Sequence, residues 1–153
     1  MGRSGREALE KYLPEAKQKL KPDVVIVNGE NAASGAGISD KICKQFYEWG
    51  TDVITTGNHI WDQRDIISYI DRDKRLLRPA NFPEGTPGKG FYKHELGDGR
   101  TILVINAMCR LFMDALDDLD WDAIRATHWQ GRTHSKSAEF LRSEEHTSEL
   151  QSP

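Results

Sequence analysis

The sequence predicts an α/β fold built on a parallel sheet, and three observations carry that reading. Two short runs, Val24-Val25-Ile26-Val27 and Val53-Ile54-Thr55-Thr56, consist of β-forming residues. Amphipathic helical patterns precede, separate and follow them, and the order helix, strand, helix, strand, helix argues for parallel pairing through crossovers. Both runs also stop abruptly at a glycine followed by polar side chains, Gly29-Glu30-Asn31 and Gly57-Asn58-His59.

The first element is helical. Residues 4–20 place Leu9, Tyr12, Leu13, Ala16 and Leu20 at helical spacing among charges, the pattern of a surface helix. Pro14 predicts a kink or restart within it, and Pro22 its end. Residues 23–28 form a continuous apolar run, as expected of a strand covered on both faces. After a loop rich in Ala, Ser and Gly, Ser39 can cap a helix carrying Ile42, Cys43, Phe46 and Tyr47, with Gly50 as its C-terminal stop. The strand at 52–56 is followed by a helix from about Asp62 that carries Ile66, Ile67 and Ile70. Residues 78–90 hold three prolines and three glycines and read as an ordered loop. Residues 89–96 and 100–106 read as two strands joined at Gly97-Asp98-Gly99, a hairpin signal. Beyond Asp118 the pattern degrades to a short helical hint at 121–126.

Composition excludes several classes. At 153 residues the chain is one ordinary domain or a piece of a larger one. A net charge of −3 offers no basic face to a nucleic-acid duplex. The charge run Asp71-Arg72-Asp73-Lys74-Arg75 reads as a solvated surface. No apolar run approaches the ~20 residues needed to span a bilayer, so no membrane partner is expected. The N-terminus lacks an apolar h-region, and Cys43 and Cys109 are isolated and read as reduced, buried thiols. The expectation is a cytoplasmic protein.

The two strand ends carry the chemistry. In open α/β sheets, ligands bind beyond the carboxyl ends of the strands. Glu30-Asn31 and Asn58-His59 occupy equivalent positions there, so they can converge. Carboxylate, amide oxygen and imidazole suit a hard or borderline divalent metal, and the preceding glycines let the chain turn sharply. Either pair alone also reads as turn formers with a solvated carboxylate and a surface histidine. Both pairs at matching strand ends favour a metal site.

The segments NGENAASGAGIS (28–39), DVITTGNHIWD (52–62) and RPANFPEGTPGKG (78–90) resemble the signature segments of the YmdB-type family of calcineurin-like metallophosphoesterases, over residues 2–118. The resemblance implies part of a sandwich of β-sheets flanked by helices, and a centre of two divalent ions, iron or manganese. It implies hydrolysis of cyclic nucleotide phosphodiesters, 2′,3′-cyclic ones being the usual assignment, and leaves a homo-oligomeric full-length form open. Carried over residue by residue, Glu30 matches the carboxylate that bridges both metals, Asn31 a ligand of the first and Asn58 a ligand of the second. His59 matches the general acid that protonates the leaving oxygen.

The chain also departs from the family pattern. The family begins with a strand whose Asp binds metal, in a Gly-Asp-Val-Val-Gly segment; here Gly2-Arg3-Ser4-Gly5-Arg6 matches the continuation of that segment. Further histidine ligands belong to the family's C-terminal half, and His128 and His134 match none of its motifs. Residues 119–141 are of uncertain origin, a frameshifted read among the alternatives. The tail RSEEHTSELQSP (142–153) matches the one-frame translation of a common sequencing-library adapter and is set aside from fold reasoning. The expectation is therefore a fragment truncated at both ends and inactive by itself. The competing readings are a non-catalytic nucleotide-binding α/β module and a regulatory scaffold. Gly35-Ala36-Gly37 lacks the third glycine of a dinucleotide fingerprint.

Overall fold

The computed structural model describes residues 2–109. The helical hint at 121–126, His128, His134 and the tail lie outside them. The first helix, α1 (Arg3–Leu20), runs unbroken through Pro14. It ends at Lys21 in a left-handed conformation (φ 47°), immediately before Pro22. No residue of α1 is fully buried, and Tyr12 and Leu20 are exposed. Side-chain bonds hold it to the domain: Arg6 donates to the Ala32 carbonyl and Lys17 Nζ to the Gly50 carbonyl at 2.6 Å.

The parallel sheet comprises β1 (Ile26–Asn28), β2 (Val53–Thr55) and β3 (Leu76–Leu77), in that spatial order. Ile26 pairs with Val53 and Ile54 with Leu76, which fixes the register. Between β1 and β2 lies α2 (Asp40–Glu48), whose Ile42 amide donates to the Ser39 hydroxyl at 3.3 Å as the cap motif predicts. Gly50 follows at φ 103°, a conformation that favours glycine. A 3₁₀ turn (Asn58–Trp61) precedes α3 (Arg64–Ile70), so this helix begins two residues later than the sequence predicts. The antiparallel hairpin β4 (Phe91–Glu95) and β5 (Thr101–Ile105) pairs Phe91 with Ile105 and Glu95 with Thr101, as expected.

Strand alternation splits the core into two layers. Val27, Ile54 and Leu76 face the helices, where Ile38, Cys43, Phe46, Ile60, Ile66 and Ile70 complete the larger cluster. Val53 and Leu77 face the other way, onto Val104, Tyr92 and Ile102 of the hairpin. Helices thus cover one face of the parallel sheet and a second sheet covers the other, the mixed α/β architecture expected. The covering is incomplete over β1. Ile26, register partner of the fully buried Val53, is 45% exposed because the hairpin reaches over β2 and β3 and not over β1. The expectation for residues 23–28, a strand covered on both faces, fails at Ile26, whereas β2 is buried on both faces through Val53 and Ile54.

Candidate metal centre

The parallel register brings the two candidate strand ends together. Asn28 is level with Thr55, and the Gly29 amide donates to the Thr55 carbonyl at 2.8 Å, so the chains leave the sheet side by side. The Glu30 side chain then lies directly over Gly57. A Cβ at residue 57 would fall 2.1 Å from Glu30 Oε1 and 2.7 Å from Oε2. Glycine there is a matter of space, since its φ of −141° is open to any residue. Gly29 is equally confined, with the Ile38 side chain 2.7 Å from where a Cβ would stand. The two glycines that end the strands are therefore what let the carboxylate reach the chain just ahead of Asn58.

Glu30 is buried, at 9% exposure. Among the described residues no Lys, Arg or His pairs with it, and no side-chain or backbone group donates a hydrogen bond to its carboxylate. Its oxygens still reach solvent, since among the described residues the Thr51 hydroxyl is the one buried side-chain polar group left without a partner. Asn31 is half-buried on the adjacent turn, Asn58 is exposed and begins the 3₁₀ turn, and His59, its second residue, is half-buried. His59 Nδ1 is 2.7 Å from Asp62 Oδ2. The donor set at this end of the sheet is one carboxylate and two amides beside an imidazole, which fits part of a divalent-cation site. No cluster of three His, Cys, Asp or Glu side chains suited to a metal occurs among the described residues.

The loop between Gly29 and Ile38 satisfies its own backbone. Ala32, Ala33, Ser34, Gly35 and Ala36 donate their amides to the carbonyls of Gly29, Gly37, Ala32, Asn31 and Ala33. Those amides are not arranged to cradle a phosphate, which counts against the nucleotide-binding module among the alternatives.

Sequence reasoning missed several supports. Asn106 Nδ2 donates to the Thr56 carbonyl at 2.7 Å and the Leu77 carbonyl at 3.0 Å, tying the exits of β2 and β3 to the end of β5. Asn81 clasps Met108 with two bonds, its amide to the Met108 carbonyl (2.7 Å) and the Met108 amide to its Oδ1 (3.1 Å). Among the described residues Arg78 makes no ion pair. Its guanidinium donates to the carbonyls of Pro79, Thr86 and Pro87, stitching the 78–90 loop closed, and burial lowers its pKa. Trp61 packs on the core beside Phe82, ring centroids 6.3 Å apart. Cys43 is buried as expected, whereas Cys109 is exposed, and both are free thiols.

Comparison with known proteins gives the class. The chain matches the YmdB-like protein family over residues 1–150. It resembles a solved structure of a phosphatase from Mycoplasma pneumoniae (TM-score 0.70, 27% identity, covering 82% of this chain and 46% of that one). A solved hypothetical protein from Thermus thermophilus is also similar (TM-score 0.74, 36% identity, 86% of this chain and 50% of that one). Among curated relatives, the 2′,3′-cyclic-nucleotide 2′-phosphodiesterase of Bacillus subtilis (strain 168) is 47% identical over 118 residues, which is 77% of this chain and 44% of that protein. The chain belongs to the YmdB-like family, whose named relatives are phosphodiesterases and phosphatases, and it spans about half the length or less of these relatives. No helix among the described residues is long and apolar enough to cross a membrane.

Proposed function

We propose that residues 2–109 carry one half of the active site of a metal-dependent phosphodiesterase acting on cyclic nucleotides, 2′,3′-cyclic ones above all. The observation that carries the reading is the Glu30 side chain, without a protein partner among the described residues, seated on Gly57 next to Asn58 and His59. Glu30 would bridge two divalent ions, iron or manganese, with Asn31 and Asn58 each contributing an amide oxygen to one of them. Such ions supply Lewis-acid polarisation of the phosphoryl group and a water nucleophile at neutral pH. Neutral amide ligands leave that charge available for the substrate instead of cancelling it. Water adds to phosphorus, the P–O bond to the sugar oxygen breaks, and His59 delivers a proton to the departing oxygen as general acid. The similarity to a 2′,3′-cyclic-nucleotide 2′-phosphodiesterase supports this substrate class.

Glu30 is the sole anionic donor in this set, against as many as four positive charges. Residues 1–153 alone are therefore expected neither to hold the ions stoichiometrically nor to turn over substrate. The test is metal content and hydrolysis of 2′,3′-cyclic nucleotides by the chain extended to the length of its relatives. Manganese- or iron-dependent turnover, lost together with the metal in Glu30→Ala, is the expected result. An extended enzyme that hydrolyses substrate after complete chelation of metal would overturn the proposal.

A further inference from the structure

Asp62 lies outside the donor set just described, yet among the described residues it makes the one hydrogen-bonding contact of the His59 ring: Nδ1 is 2.7 Å from Oδ2. An ionised carboxylate can only accept hydrogen bonds, so the proton between them sits on Nδ1 and Nε2 is the nitrogen left facing away from Asp62. The contact is built into a single turn of chain. The Asp62 amide donates to the His59 carbonyl at 3.1 Å, closing the 3₁₀ turn that sets the two side chains three residues apart on one side.

A second segment holds that turn in place. Gly37 adopts φ 71° and lies against it so closely that a Cβ would meet the His59 carbonyl oxygen at 2.6 Å and Asp62 Cβ at 3.4 Å. Gln63 Nε2 reaches back to the Ala36 carbonyl at 2.9 Å. The loop that starts with Glu30 and Asn31 thus buttresses the turn bearing His59 and Asp62. A contact between two partly exposed side chains, 42% and 41% accessible, is ordinarily worth little in stability. Fixing a ring's orientation and choosing which nitrogen gives up the proton needs no large energy, only a persistent geometry.

We propose that Asp62 is a positioning residue for His59: it holds the Nδ1 proton and so commits Nε2 to the leaving group. During hydrolysis the Nε2–H bond breaks as the O–H bond to the leaving oxygen forms. The ring ends as the neutral Nδ1–H tautomer, still hydrogen-bonded to Asp62. This rests on the general-acid role given to His59 above, and deepens it.

The tautomer is read directly by ¹⁵N NMR of the imidazole in the metal-free, relative-length protein at alkaline pH, with His59→Gln to assign the signal. The expected result is the Nδ1–H form in the unsubstituted protein and the commoner Nε2–H form in Asp62→Ala. Turnover is the second readout, on two substrates. Asp62→Ala should lose about 10–100-fold on a 2′,3′-cyclic nucleotide, whose alkoxide needs the proton, as removal of an orienting partner typically costs. On bis(p-nitrophenyl) phosphate, whose phenolate leaves unprotonated, the loss should stay below about 3-fold. An Nε2–H ring in the unsubstituted protein, or equal losses on both substrates, overturns the positioning role. If His59→Ala itself loses both activities equally, the general-acid reading fails and this inference with it; if His59→Ala discriminates and Asp62→Ala does not, the inference alone fails.

Discussion

Two carboxylates at opposite ends of the α2–α3 side of the sheet make an instructive pair. Asp73, in the turn before β3, is fully engaged within its own neighbourhood. Tyr47 donates its hydroxyl to Oδ2 at 2.8 Å, the Arg75 amide donates to Oδ1 at 3.0 Å, and the Arg75 guanidinium lies 3.8 Å from the Tyr47 ring centroid. Glu30, at the other end of the strands, is more buried and has none of this. A polar cluster that satisfies itself stabilises the fold and asks for nothing more. A carboxylate with no protein partner among the described residues, set against Gly57, keeps its acceptor sites open to another group.

The sharpest way to break this comparison is to treat the two carboxylates alike. Glu30→Gln in the relative-length protein should abolish metal binding and turnover, while leaving the metal-free Tm little changed, because no protein partner of the carboxylate is lost. If Glu30→Gln lowers the metal-free Tm, Glu30 has a structural partner and the contrast with Asp73 disappears. Gly57→Ala should act nearly as strongly on metal. The new Cβ would stand 2.1 Å from Glu30 Oε1, and the flexible end of Glu30 can swing away. The fold should survive while metal affinity drops by about 100-fold or more, beyond what loss of an outer orienting group costs. Equilibrium dialysis with manganese distinguishes this from unfolding. Next in size, His59→Ala should lower turnover of cyclic nucleotide by ~10²–10⁴ with metal retained, as for a lost general acid; full-rate hydrolysis would remove His59 from the mechanism.

Much of this was legible in the sequence because it depends on local rules. Ser39 capping α2, Gly50 stopping it and Gly97-Asp98-Gly99 turning the hairpin are all set by residues within a few positions of one another. The candidate residues Glu30, Asn31, Asn58 and His59 stand out for a related reason: glycine followed by side chains of types that can bind a metal, twice, at strand ends. What escaped notice was tertiary. The two-residue strand β3 has no periodicity to read, and it forms because β2 offers an open edge and Ile54 and Val53 offer packing on both faces. Asn81, Asn106 and Arg78 bond to carbonyls of chain that sequence alone does not bring near. Asp62 did leave a signal, since an acid three residues after a histidine in a turn can meet it. The metal, substrate and catalytic role themselves came from family resemblance, not from spacing.

The supports give effects of the next order down. Asn106→Ala removes two hydrogen bonds and leaves the carbonyls of Thr56 and Leu77 without that donor. Denaturant melts should show a loss of about 1–3 kcal/mol. The change should also loosen the exit of β2, so metal affinity should fall modestly in parallel. A loss of stability with metal affinity untouched would show that Asn106 serves the hairpin contact and not the site.

The smallest effect tests the Asp73 end and turns on pH. Tyr47→Phe keeps the ring under Arg75 and removes only the hydroxyl that donates to Asp73. At pH 7 this should cost about 1.5 kcal/mol, the lower end for a hydrogen bond to a charged acceptor, with turnover unchanged. Burial, reinforced by the Asp73 charge, pushes the Tyr47 phenol well above its ordinary range. Burial does the same to the Cys43 thiol and the Tyr69 phenol. A folded-state pKa raised in this way gives stability that is whole below the unfolded pKa and is lost as pH climbs past it. For tyrosine that decline begins near pH 10, where the unfolded chain sheds a proton that the folded chain keeps. Each such group steepens it by about 1.4 kcal/mol per pH unit. The phenylalanine variant lacks one of these groups. Its deficit at pH 7 should therefore shrink above pH 10, and the two stability curves should meet about one pH unit higher. Parallel curves from pH 7 to 11 would mean that Tyr47 ionises freely in the folded protein, and that the Asp73 end is as poorly satisfied as the Glu30 end.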